Sequence, residues 1–275
     1  MPAIKETIIT KSGAIFERMI FARDRKVGEV RRAKTEPTLE AVERVNQRNS
    51  LRTLQIKVQN NFEAGDHWLV LSYEGEEPSK AEAKKEIKRF LDKLRRKRKA
   101  VGQEFKWIMV TEYQNKRIHH HLLLNNVGDF DELFGLWGNG LIRNTPLDDS
   151  GDWRQLCEYM HKETAKTFRD IDSPSRLRYS CSRNLVMPAV YREEIPAADI
   201  FDEPSAEKGY YIVADSVFRG ENPFTGRPYV EYVMLPIDKP RKRYNKRERA
   251  KFRNERYDKW LRVHADRQLE IDYPF

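Results

Sequence analysis

The run Phe105-Lys-Trp-Ile-Met-Val-Thr-Glu-Tyr-Gln114, followed after Asn115-Lys116 by Arg117-Ile-His-His-His-Leu-Leu-Leu-Asn-Asn126, decides the fold. Each half is a short apolar run of strand length, and the polar pair between them suits a tight turn. The segment therefore predicts an antiparallel hairpin. Strand side chains alternate faces, so His119 and His121 point one way while His120 points the other way with Ile118 and Leu122. A two-residue turn at Asn115-Lys116 sets Glu112 directly opposite His119, and Val110 opposite His121. Facing Cβ atoms lie about 4.5–5.5 Å apart and diagonal ones about 7–8 Å, so one carboxylate can share an ion with both imidazoles. Two histidines and a carboxylate suit Mg²⁺ or Mn²⁺ and leave positions open for water or a phosphate oxygen.

The sequence on either side supplies a scaffold. Upstream, His67-Trp-Leu-Val-Leu-Ser-Tyr73 is a buried strand bounded by Gly65 and Gly75. Pro78-Ser79-Lys-Ala-Glu82 offers a capping box, with Ser79 as N-cap and Glu82 three residues on. The helix that follows sets Ala83, Ile87, Phe90, Leu91 and Leu94 on one face. Lys84, Lys88, Arg95 and Arg96 occupy the other, as a solvated face or a phosphate-binding one. Downstream, Gly135-Leu-Trp-Gly-Asn-Gly140 reads as a loop, and Asp152 and Gln155 cap a helix running from Trp153 to about Phe168. That helix buries Trp153, Leu156, Cys157 and Met160, and it carries Glu158-Tyr159-Met-His-Lys162. Tyr159 and Lys162 are one turn apart. A phenol titrates near pH 10, so Tyr159 becomes a useful nucleophile only where cations favour the phenolate. His161 is read as a surface residue, with a role as auxiliary base the alternative. Ser182–Pro188, which contains Arg183 and Asn184, reads as a loop closing this core.

The chain has 275 residues, and 52 Lys+Arg against 43 Asp+Glu leave it with a net charge of +9. That balance favours a polyanionic partner. No apolar run approaches the roughly 20 residues that a bilayer helix needs, and the first residues lack the long apolar stretch of a secretory signal. Cys157 and Cys181 form neither a disulfide framework nor a metal-ligand pattern, which fits a reducing, intracellular compartment. There is no Gly-x4-Gly-Lys-Ser/Thr loop, so no nucleotide-driven motor is encoded. Residues 1–65 read as a basic, helical extension with one helix from Thr38 to Val58, and residues 66–204 as the core. Residues 205–275 read as a hairpin, Tyr210–Val217 with Tyr229–Leu235, followed by a basic helix over 239–267.

In this order the motifs resemble the HUH endonuclease superfamily, most closely the replication-initiator (Rep) proteins of rolling-circle plasmids and filamentous-type phages. The resemblance rests on the apolar strand Trp68–Tyr73, on His119-His120-His121 preceded by Glu112, and on the downstream helix with Tyr159 and Lys162. It spans roughly residues 65–190. It departs from the family pattern at His120, where an aliphatic residue is usual, and at positions 162, 163 and 166, which hold no second tyrosine. The chain thus resembles a single-tyrosine enzyme, with Tyr179 as a further candidate.

The resemblance implies an α+β fold, a central antiparallel sheet flanked by helices. It implies a metal-dependent DNA endonuclease that nicks and joins single-stranded DNA at an origin hairpin. Tyr159 would form a 5′-phosphotyrosine and free a 3′-hydroxyl; Glu112, His119 and His121 would hold Mg²⁺ or Mn²⁺; Lys162 would position the phosphate or stabilise the phenolate. Lys84, Lys88, Arg95, Arg96, Arg183 and Asn184 would contact DNA. Host helicase and polymerase are the implied partners, and the cytoplasm of a bacterial host the implied location. Origin recognition would fall to residues 1–65 or to the hairpin near Phe224. Relaxases place the tyrosine before the histidines and single-strand transposases are more compact, so both rank behind Rep. A non-catalytic regulator with a structural ion is the rival from another class.

Overall fold

The computed structural model describes residues 2–22, 40–113, 117–125, 130–167, 178–223 and 225–237. In chain order its strands are β1 (Ala3–Ile9), β2 (Ile15–Phe21), β3 (His67–Ser72), β4 (Trp107–Glu112), β5 (His119–Leu124), β6 (Ile142–Pro146), β7 (Ser180–Cys181), β8 (Tyr191–Ile195), β9 (Tyr210–Ile212), β10 (Phe218–Glu221) and β11 (Pro228–Pro236). The helices are α1 (Glu40–Asn61), α2 (Lys80–Ala100), α3 (Phe130–Trp137) and α4 (Arg154–Thr167). The fold is α+β, with two antiparallel sheets. Its described residues group into two compact units. One takes the chain up to Asn61, Gly151–Trp153 and the residues from Val186 onward; the other takes Phe62–Ser150 and Arg154–Leu185.

The second unit contains the predicted hairpin. Its sheet runs β6-β3-β5-β4-β7, so the histidine strand lies at the centre. All six residues of β5 are buried, as the run His-His-His-Leu-Leu-Leu requires of a strand covered on both faces. One face packs Leu69, Leu71, Leu122 and Leu124 against Ile87, Phe90 and Leu94 of α2 and against Leu133 and Trp137 of α3. The helix α2 starts where the capping box requires. The Ser79 hydroxyl accepts from the Glu82 N–H at 3.3 Å, while the Glu82 carboxylate accepts from the Ser79 N–H at 2.9 Å. The opposite face of the sheet carries His119 and His121 and is met by α4.

Two local expectations change here. Gly135, Leu136 and Trp137 are not loop but the end of α3, because Leu133 and Trp137 fall one turn apart on a buried stripe. The loop is confined to Gly138–Leu141. Within it, Gly140 has φ +154, and a Cβ there would stand 2.5 Å from the Ser72 carbonyl oxygen. Only glycine lets this backbone pass so close to the end of β3. The strand β6, with its single fully buried Ile142, was also not anticipated.

The first unit holds a sheet ordered β10-β11-β2-β1-β8, with β9 also paired to β11. The expected N-terminal helix is α1, and Ile56 of that helix packs with Ile8, Phe16, Val233 and Leu235 of the sheet. The strands β1 and β2, which mixed charge hides in the sequence, pair with β8 and β11, so the two flanks of the chain share one sheet. Their polar residues are used in pairs. Glu17 is buried at 1% exposure and receives Lys5 at 2.9 Å and the Tyr232 hydroxyl. Glu231 receives Arg18 at 2.7 Å and Arg48 at 3.0 Å. Of the expected C-terminal hairpin β11 supplies the second strand, but its hairpin partner is β10, which follows the expected Tyr210–Val217; that stretch forms the short β9, paired to the far end of β11, and a 3-10 turn at Ala214–Ser216. The basic helix over 239–267 lies outside the described residues, as do Phe224 and the Asn115-Lys116 turn.

Candidate metal centre and nucleophile

The register of β4 on β5 pairs Glu112 with His119 and Val110 with His121, as a two-residue turn demands. One oxygen of Glu112 lies 2.8 Å from His119 Nε2 and 3.7 Å from His121 Nε2. The ligand atoms of Glu112, His119 and His121 all lie within 4.8 Å of one another, and all three residues are buried. Ligands at right angles around an ion at about 2.1 Å stand about 3 Å apart, so the spacing fits a small divalent cation.

The hydrogen bonds fit it too. His119 Nδ1 donates to the Arg117 carbonyl at 2.8 Å, which leaves Nε2 as the lone-pair nitrogen facing a carboxylate oxygen. Two acceptors at 2.8 Å need a cation or a proton between them. A backbone carbonyl thus orients this ligand, and aromatic rings orient the second. The Trp68 ring stacks on His121 with centroids 5.4 Å apart and planes 13° apart. Trp68 was legible only as an apolar strand residue. The parity that puts Trp68 and Val70 on one face of β3 was the available signal, but the register that brings β3 beside β5 was not.

Tyr159 projects from α4 onto the same face. Its hydroxyl lies 3.3 Å from His121 Nε2, and its ring stands edge-on to Trp68 and to His121. Met160, Cys157 and Leu156 anchor the helix in the core beside it. Lys162 is exposed one turn further on. His161, expected at the surface, is buried at 8% exposure, and burial with the nearby Arg178 charge pulls its pKa down to about 4. A neutral imidazole is therefore packed beneath the tyrosine helix.

His120 serves the other face. Its Nδ1 meets the Thr111 hydroxyl at 2.8 Å and its Nε2 meets the Tyr73 hydroxyl at 2.9 Å. Desolvation, reinforced by His119 and His121, lowers its pKa to about 3. It takes the aliphatic position of the motif as a fully hydrogen-bonded neutral ring.

The predicted basic residues are dispersed. Lys84, Lys88, Arg95 and Arg96 are exposed on α2, but α2 covers the His120 face, so the sheet separates them from the metal ligands. Arg95 pairs with Asp92 at 3.0 Å. Arg183 is exposed, whereas the Asn184 amide donates to Glu104 and to the Phe105 carbonyl, each at 3.1 Å, and ties its loop to the strand edge. A basic residue that the sequence reading missed is better placed. Val110, His121, Val70 and Arg143 form one cross-strand row over β4, β5, β3 and β6. Arg143 thus shares the metal face two strands from His121, about 10 Å at the usual spacing. Tyr179 sits next to β7, at the far edge of the sheet from β6.

Among the described residues no helix is long and apolar enough to cross a membrane. No curated protein and no solved structure matches the chain. Residues 66–166, however, match the profile of the family described as replication-associated protein ORF2/G2P. A family of replication-associated proteins implies DNA as the partner, and the His/His/Glu group gives the matched segment the means to hold a divalent metal. The segment that carries Glu112, His119, His121 and Tyr159 is therefore similar to a replication-associated ORF2/G2P domain, consistent with an HUH replication-initiator (Rep) protein.

Proposed function

We propose that this protein nicks and rejoins single-stranded DNA at an origin hairpin to initiate rolling-circle replication. The observation that carries the reading is the Tyr159 hydroxyl at 3.3 Å from His121 Nε2, at the edge of a buried His/His/Glu set. Bound Mg²⁺ or Mn²⁺ would supply a Lewis acid that polarises the scissile phosphate and stabilises its developing charge. Glu112, His119 and His121 are the residues that would hold it.

Tyr159 is the nucleophile. Its oxygen forms a bond to phosphorus as the phosphorus–O3′ bond breaks, the phenol proton passes to solvent, and the leaving 3′ oxygen takes up a proton. The products are a 5′-phosphotyrosine and a free 3′-hydroxyl, and the reverse attack rejoins the strand. Lys162 and Arg143 supply positive charge that positions the phosphate and favours the phenolate. Trp68 fixes the ring of His121 and the edge of Tyr159. A chain without a nucleotide-driven motor motif draws on the helicase and polymerase of a host cell, and its place of action is the cytoplasm of that host.

The test incubates the protein with a labelled single-stranded hairpin library and Mn²⁺, then looks for DNA that survives boiling in detergent. The expected result is a covalent adduct that is lost in Tyr159→Phe and suppressed by EDTA. Tight, salt-sensitive binding with no adduct would replace this reading with a non-catalytic regulator.

A further inference from the structure

The first unit lies largely outside the matched residues 66–166. It contains a groove of about 420 Å³ between the first half of α1 and the turn joining β10 to β11. That volume is within the range of small-ligand sites. Val42, Val45, Asn46 and Asn49 line one wall, at the spacing of a single helix face. The floor is Ile20 with Tyr229, whose strands neighbour each other in the sheet.

Two features select the occupant. The first is charge: Arg227 and Arg18, the latter paired with Glu231, line the groove, and among the described residues no carboxylate lines it. The contrast lies within the same unit, where a second cavity of about 350 Å³ is lined by Glu193, Asp199, Asp202, Glu203 and Glu207 with one lysine, Lys5. The second feature is unspent recognition chemistry. The Asn46 carboxamide is exposed and makes no hydrogen bond to the described residues. The Arg227 guanidinium rests 5.8 Å from the Phe21 ring and reaches the Ala22 carbonyl only at 3.5 Å, so most of its donors remain available.

Tyr229 completes the set with a held aromatic ring. The ring lies across Gly220, where an added Cβ would come within 2.9 Å of it, and it packs on Phe218 at 5.9 Å. Phe218 is in turn covered by the Arg48 guanidinium at 3.0 Å. Carboxamide and guanidinium groups read base edges, and a fixed aromatic ring stacks on a base face.

We propose that this groove seats an unstacked base of single-stranded DNA, stacked by Tyr229 and read by Asn46 and Arg227, and that it gives the protein its sequence preference. The inference rests on single-stranded DNA being the substrate. A base-reading site changes which sequence is preferred, whereas a phosphate-contacting surface changes affinity for all sequences alike.

The test selects a random single-stranded library on the full-length chain with Mn²⁺, and on Asn46→Leu and Arg227→Met separately. Each variant is checked for an unchanged thermal melt, and two independent positions keep the test decisive if one variant folds poorly. Binding of the enriched strand is then compared with a scrambled strand of equal composition. The expected result is a loss of about tenfold or more in preference in each variant, with affinity for the scrambled strand altered less than about threefold. Enrichment of the same sequence with the same preference by wild type and both variants would overturn the proposal. Unchanged preference with an altered monomer–dimer balance in sedimentation would overturn it in favour of a second copy of the chain. Failure of the wild-type chain to retain any DNA would overturn the single-stranded DNA reading itself, and that result is visible before any variant is made.

Discussion

Substituting His120 by alanine removes a fully buried ring that is hydrogen-bonded through both nitrogens, at 2.8 Å to Thr111 and 2.9 Å to Tyr73. Each net hydrogen bond contributes about 1 kcal/mol, and the cavity left in the core adds about 2 kcal/mol. The expected destabilisation of His120→Ala is therefore about 4 kcal/mol. His120→Leu fills most of the space between Tyr73 and Trp137, and the Tyr73 hydroxyl keeps the Ala83 carbonyl at 3.3 Å. Its cost should be about 1–2 kcal/mol. Adding Tyr73→Phe and Thr111→Val to His120→Leu removes the two hydroxyls that lost the imidazole and should recover part of that loss. The assay is urea unfolding at pH 8, where the imidazole is neutral, with Mn²⁺ titration calorimetry on each folded variant. Because His120 faces away from Glu112, His119 and His121, Mn²⁺ affinity should change less than about threefold in the leucine variant. A folded His120→Leu protein that loses Mn²⁺ binding tenfold would refute the separation of the two faces, and an alanine variant costing under about 1 kcal/mol would refute the energetics.

Further outcomes follow from the same geometry. Glu112→Ala removes the anionic ligand, so saturating Mn²⁺ should raise the wild-type melting temperature but leave the variant's nearly unchanged, as differential scanning calorimetry would reveal. Arg143→Ala should weaken single-stranded DNA binding about equally for all sequences and lower the slope of log affinity against log salt by about 1; an unchanged slope would remove Arg143 from the phosphate path. His161 titrates near 4 in the folded chain and near 6.5 when unfolded, so the unfolded chain binds more protons between those values. Stability from this group is complete above about pH 6.5 and declines on acidification, by up to about 2 kcal/mol at pH 5. Urea midpoints measured against pH should show a shallower decline in His161→Gln.

Much of the candidate site could be read from residues close in sequence. The Glu112–His119 pairing follows from two short strands and a short turn, and the capping box and apolar stripe of α2 depend only on neighbours within a few turns. What lay out of reach depended on distant partners. Mixed charge in β1 and β2 reads as an extension until Glu17 meets Tyr232 and Arg18 meets Glu231, more than 200 residues away. The roles of Trp68 and Arg143 need the order β6-β3-β5-β4, which no local pattern contains. The surface expectation for His161 failed because it judged one residue type on one helix, without the core that closes around α4.

The first sheet is assembled from chain segments that are synthesised far apart. Phe16 of β2 faces Val233 of β11, and the strands and helices of the second unit, from β3 to β7, are encoded between them. On a ribosome Glu112, His119, His121 and Tyr159 therefore emerge before β11, the strand that pairs with β2 in the first sheet, exists. Before Tyr191–Ile195 emerges β1 and β2 can form only a two-stranded hairpin, an arrangement marginal in water, and until β11 emerges the outer edge of β2 stays unpaired. Contacts of such sequence separation form late, and an open edge invites pairing with other chains. A chain terminated ahead of Pro228 would still hold Glu112, His119, His121 and Tyr159. It would have lost Tyr229 from the groove together with the whole of β11, the strand that joins β2 to β9 and β10, leaving Arg227 at its end with no aromatic floor beside it.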